Sequence, residues 1–163
     1  MTGRRKLTLE RTWQATVAEV WRLWTTKEGL ESFWGPEGFS VEVHTLDLRP
    51  GGALEYAMTA SAPEQIAFMQ RAGLPLTVPQ RLTYTEVVPL RRLAWELLAD
   101  FIPGTAPYPA ATRVELFPDP QGVRMVLTFD AMHDEEWTRR SVLGRESELG
   151  KLLRVSAARR PPG

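Results

Sequence analysis

Apolar and polar residues along the chain switch between a period of two and a period near 3.6, and the switches mark out its elements. Leu7, Leu9 and Arg11 alternate with Thr8, Glu10 and Thr12 up to Trp13, which predicts a first strand. Val17, Val20, Trp21 and Trp24 then fall at i, i+3, i+4 and i+7, one stripe of a helix. Thr16 and Glu19 stand in capping-box spacing at its start, and Thr25 and Glu28 repeat that spacing for a second short helix. The second helix carries Leu30, Phe33 and Trp34 inward and stops at Gly35-Pro36. Two strand-like runs, 39–48 and 53–58, flank Arg49-Pro50-Gly51-Gly52, where Pro50 fixes φ and the glycines accept φ > 0. A β-hairpin follows.

Ser61 to Glu64 reads as a capped helix start, with Gly73 as its end. Strands are predicted over 81–88 and 93–101. In the latter Leu93, Trp95, Leu97, Ala99 and Phe101 share one face, while Glu96 and Asp100 mark the other as wet. A Pro/Gly-rich loop spans 103–109. Runs 112–117 and 123–130 flank Pro118-Asp119-Pro120-Gln121-Gly122 as a second hairpin. A helical pattern runs from Asp134 to about Ala157 through Trp137, Leu149, Leu152 and Leu153, and Arg159 to Gly163 reads as a frayed tail. The order β-α-α-β-β-α-β-β-β-β-α, almost all hairpin-linked, predicts an antiparallel α+β domain. Its sheet has one dry face, and the final helix is the available cover.

Length and composition narrow the picture. A chain of 163 residues makes one domain, 1–163. Lys and Arg number 20, as do Asp and Glu, so no net field draws the chain to nucleic acid or an anionic membrane. Cysteine is absent, which excludes disulfides, thiolate metal sites and a Cys nucleophile. No apolar run approaches the roughly eighteen residues of a membrane span. Arg4-Arg5-Lys6 leads into an alternating segment instead of an apolar one, so a cytoplasmic protein without a signal peptide is expected.

Little in the chain announces catalysis. His44 and His133 are its two histidines. Asp134, Glu135 and Glu136 beside His133 read as first-turn acids complementing a helix dipole, so neither a metal nor a cofactor is expected. His44 reads as an ordinary strand histidine, and Asp47 with Arg49 as a hairpin-end ion pair. Glu55, Glu86, Glu96 and Asp100 would form an acid/base pair only if two faced inward. No phosphate loop, nucleophile elbow or H-E-x-x-H is present. The aromatic set says more. Trp24, Phe33, Trp34, Tyr56, Met58, Tyr84, Trp95, Leu97, Phe101 and Trp137 suit the apolar wall of a small-molecule site, with tyrosine and indole groups to orient the guest.

The segment Thr26-Lys27-Glu28-Gly29-Leu30-Glu31-Ser32-Phe33-Trp34-Gly35-Pro36, followed by Leu46-Asp47-Leu48-Arg49-Pro50-Gly51-Gly52, resembles the activator-of-Hsp90-ATPase-like (AHSA1-like) family of the START / Bet v 1-like superfamily. The resemblance implies a helix-grip fold. A curved antiparallel sheet of six to seven strands would wrap a long C-terminal helix, with two short helices after strand 1 and an apolar cavity inside. It implies binding of a small hydrophobic molecule, and the alternation described above predicts that the face bearing Trp95, Leu97 and Phe101 looks onto a cavity closed by the C-terminal helix, with Trp95 lining it. The rival implications are a cyclase- or dehydratase-like enzyme acting on a polyketide-type substrate, and an Hsp90-type co-chaperone or other protein-binding module. A homodimer or protein partner is left open. The segment Pro63 to Gly73 departs from relatives that have a turn there, and is expected to lid the cavity or meet a partner.

Overall fold

A computed structural model describes residues 5–100, 102 and 104–159, with side chains as far as Ser156. Phe101 and the end of the predicted tail lie outside the described residues. The elements are β1 (Lys6–Trp13), α1 (Val17–Thr25), α2 (Lys27–Phe33), β2 (Phe39–Leu46), β3 (Ala53–Ala60), α3 (Pro63–Arg71), β4 (Thr77–Val88), β5 (Arg92–Ala99), β6 (Tyr108–Asp119), β7 (Gly122–Asp130) and α4 (Glu135–Arg159). Their order is the one the hydrophobic pattern predicts.

The strands form one seven-stranded sheet in the order β1-β7-β6-β5-β4-β3-β2, antiparallel throughout. Six of the strands follow their neighbours in sequence. The exception is β1, which crosses to pair with β7 from Lys6 opposite Asp130 to Trp13 opposite Val123. The register slips between Val43 and Thr45 and again between Tyr84 and Glu86. Such bulges increase the local twist of the sheet. The β2–β3 turn closes as expected, with Gly52 N–H donating to Arg49 O at 2.8 Å and Gly51 at φ +85°. A Cβ on Gly52 would sit 2.1 Å from Asp47 O, so only glycine fits. The same turn bonds Tyr84 twice, Gly51 N–H to Tyr84 O at 2.8 Å and Tyr84 N–H to Gly52 O at 2.9 Å.

Thr16 caps α1, its hydroxyl accepting from Glu19 N–H at 3.0 Å. The cap of α2 is Thr26, which accepts from Gly29 N–H, whereas Thr25 donates its hydroxyl to Trp21 O. The predicted start at Thr25 is thus one residue early, because Thr25 still belongs to the last turn of α1. Nor does Ser61 cap α3. Its hydroxyl donates to Gly38 O, and Ala62 occupies the cap position without a side-chain bond. Asp134 caps α4 by accepting from Trp137 N–H at 2.8 Å. The core joins the sheet's inner face to Val20, Leu23 and Trp24 of α1, Leu30 and Phe33 of α2, and Leu149 and Leu152 of α4. Leu23 is fully buried although it lies outside the predicted stripe, because α2 folds back over that side of α1. A satellite core of Ala99, Ile102 and Tyr108 packs against Met132 and Trp137.

Candidate functional site

The interior is lined by two different sets of residues that meet at Tyr56. The first is aromatic. Trp24 sits 4.9 Å from Phe33, 5.5 Å from Trp34 and 5.6 Å from Trp95, the first two edge-on. Trp34 in turn meets Trp95 at 5.6 Å and Tyr56 at 6.3 Å. Edge-to-face packing of this kind adds attraction beyond area burial. Between these rings lies a cavity of about 10 Å³, bounded by Trp24, Leu30 and Trp34 of the helical layer and Tyr84, Leu93 and Trp95 of the sheet. That is room for about one water molecule. The indole Nε1 of Trp24 is fully buried without a hydrogen-bond partner among the described residues. Leaving a buried donor unpaired costs about 1–3 kcal/mol. Trp95 thus faces a cavity, but α1 and α2 close it and no residue of α4 lines it.

The second set is polar and belongs to α4. Arg145 reaches inward, its Nη2 donating to Thr112 Oγ1 at 2.9 Å and its guanidinium lying 4.3 Å over the Phe129 ring. Burial pulls its pKa down, partly offset by the charges of Glu148, Tyr56 and Asp130. One turn on, Glu148 Oε2 accepts from Gly35 N–H at 2.9 Å, and Lys151 Nζ donates to Gly35 O at 2.8 Å. Ser147 Oγ accepts from Glu37 N–H at 2.8 Å, and Arg154 pairs with the Glu37 carboxylate at 2.6 Å. One face of α4 therefore holds the loop that follows Trp34. Burial pushes the Glu148 carboxyl up to about 7, against the opposing pull of Arg145, the Gly35 N–H and Lys151. Burial likewise raises the phenol of Tyr56, opposed by its hydrogen bond with Trp34. Tyr84, buried beside it, is raised for the same reason.

Of the residues the pattern singled out, Trp24, Trp34, Tyr84 and Trp95 bound the cavity, with Phe33 and Tyr56 packed directly against them. Met58 and Leu97 are half-buried at the margin of the same core. Trp137 is not among them: it lies in the satellite core, its ring 6.2 Å from that of His133. His133 Nδ1 shares a hydrogen bond with Tyr108 Oη at 3.1 Å. His44 falls at the β2 bulge and points to solvent. Asp47 and Arg49 pair at 3.0 Å. None of the four strand carboxylates faces inward: Glu55 pairs with Arg81, Glu86 with Arg92, and Glu96 and Asp100 are exposed. Among the described residues no group of His, Asp and Glu could hold a metal ion. Helix α3 packs through Met69 and leaves Phe68 exposed, and no residue of it lines the cavity.

The polar set escaped the pattern because charged residues on an amphipathic helix ordinarily mark its wet side. A signal did exist. Thr138, Arg145 and Leu152 stand seven residues apart, and Leu149 and Ser156 follow Arg145 and Leu152 by four. Arg145 thus occupies the middle of the stripe that α4 buries.

The model of the activator of Hsp90 ATPase homolog 1-like proteins matches residues 14–152. No protein of curated function matches the chain. Among solved structures, a protein from Chromobacterium violaceum superposes with a TM-score of 0.74 at 23% identity, covering 93% of this chain and 96% of that one. An AHSA1 protein from Silicibacter pomeroyi gives 0.71 at 22% identity, over 96% of this chain and 100% of that one. An AHSA1-like protein from Aeromonas hydrophila gives 0.70 at 15% identity, over 98% and 99%. These likenesses share the open antiparallel sheet closed on a long C-terminal helix. With its family model spanning most of the sequence and its fold matching throughout, the chain belongs to the AHSA1-like family of helix-grip proteins.

Proposed function

We propose that this protein binds a small, largely apolar molecule at the aromatic wall of its interior. The observation that supports the reading is the cavity among Trp24, Trp34, Tyr84 and Trp95, with the Trp24 N–H unpaired beside it. Apolar walls supply affinity, and a few polar groups fix orientation. At about 10 Å³ the cavity is far below the roughly 300 Å³ of a drug-sized pocket, so the wall must part to admit a guest. The loop after Trp34 is held to α4 by polar bonds, so opening the wall on that side requires their release. Native mass spectrometry of freshly purified protein, together with titration of a neutral naphthylamine fluorophore, tests this. A retained molecule or saturable binding is expected. A protein that carries nothing and binds no apolar probe overturns the reading.

One observation favours a second reading, a cyclase- or dehydratase-like enzyme. Glu148, pushed up to about 7 beside Arg145 and Tyr56, is poised for proton transfer near neutral pH. Turnover of a carbonyl-rich apolar substrate, abolished in Glu148→Gln, would establish it.

A further inference from the structure

The geometry points to a guest whose polar end is a carboxylate, received by Arg145; this rests on the ligand-binding reading above. A guanidinium carries five N–H donors in a rigid fork. Among the described residues the fork of Arg145 reaches a single acceptor, Thr112 Oγ1, itself buried. No carboxylate of the described residues lies within 4.0 Å of it, whereas most of the other described arginines are paired. Glu146, next to it in sequence, pairs with Arg11, Glu148 accepts from the Gly35 N–H, and Asp130 is committed to Lys6 and the Ala111 N–H. The remaining N–H groups of the fork meet no acceptor among the described residues, which leaves them for an acceptor on a guest.

The face of the guanidinium is fixed against Phe129, and Thr112 holds one edge. That leaves a planar, pre-oriented edge of the kind that grips a carboxylate bidentately. Tyr56, whose charge bears on Arg145, packs against Trp34, and Trp34 bounds the cavity. A molecule with an acid head and an apolar body would therefore run from Arg145 into the aromatic set in one direction.

Decanoate and 1-decanol, identical in length and differing at the head, test the assignment at pH 8 by tryptophan emission and calorimetry. The parent protein is expected to hold decanoate about tenfold or more tighter, the value of one charge-assisted contact. In Arg145→Met that preference is expected to vanish, decanoate losing more affinity than decanol. Should Arg145→Met not fold, Arg145→Lys decides, because it keeps the charge but loses the fork and is expected to cut the preference about threefold or more. Equal binding of the two probes by the parent, or an undiminished preference in the variants, overturns the assignment and leaves the ligand-binding reading standing. If neither probe binds the parent, both fall.

Discussion

Glu148 shows at the level of one side chain how folding sets chemistry. Burial pushes its carboxyl up to about 7 in the folded protein, against 4.5 for an exposed glutamate. The folded state therefore favours the proton. The stability this contributes is complete below pH 4.5, and is lost as pH rises through 7. We predict that chemical denaturation of the parent shows stability falling between pH 5 and pH 8, and that Glu148→Gln flattens the fall. A variant with the parent's pH dependence would show that the carboxyl is not held as described. Trp95 gives a second prediction. It is 4% exposed and packed between Trp24 and Trp34, so Trp95→Ala is expected to cost about 3–5 kcal/mol, read from the denaturation midpoint. A loss under about 2 kcal/mol would mean that the rings do not form a packed wall. The tryptophans were legible in sequence because large apolar residues have few places to go. Arg145 and Glu148 were not, since whether a helical charge faces in depends on what the opposite sheet offers it. Only the fold brings Thr112, Phe129 and Gly35 to that place.

Elements were easier to read than their ends. Strand alternation survives any small shift of the boundary, whereas a cap is decided by one hydrogen bond, which is why Thr26 and not Thr25 opens α2. The α1–α2 corner also carries a close contact that no pattern announces. A Cβ on Gly29 would lie 2.5 Å from both the Cα and the carbonyl oxygen of Leu23, backbone that cannot yield like a flexible side chain. Gly29→Ala should therefore destabilise the protein by about 1–3 kcal/mol, despite the higher helix propensity of alanine. A thermal melt at or above the parent's would refute the close approach. On α3, Met69→Ala should cost about 2 kcal/mol or more and Phe68→Ser under about 0.5 kcal/mol, since only Met69 is buried. Similar melts for the two would mean that α3 does not dock through Met69.

Across the whole molecule, nearly every strand pair is a hairpin, which is why the topology could be read along the chain. The β1–β7 pair is different, joining residues more than a hundred positions apart. Such contacts repay the entropy of loop closure last. Leu9→Ala, opposite Leu127 in that pair, is expected to speed unfolding while leaving the folding rate nearly unchanged. Stopped-flow chevrons would show it, and a slowed folding limb would place β1 in the nucleus instead. The family and the seven-stranded grip were within reach of the sequence. The closed state of the interior was not, because cavity size depends on how Trp24, Trp34 and Trp95 tilt against one another.

The bonds from α4 to Gly35 make the protein its own gauge. Both polar groups of that residue, N–H and C=O, are engaged by the helix, and the residue before it is Trp34. A displacement of α4 is thus transmitted through one peptide link to an indole ring in the cavity wall. Fluorine placed on that ring would report in its chemical shift where the helix stands, guest or no guest, without a label anywhere on the helix itself.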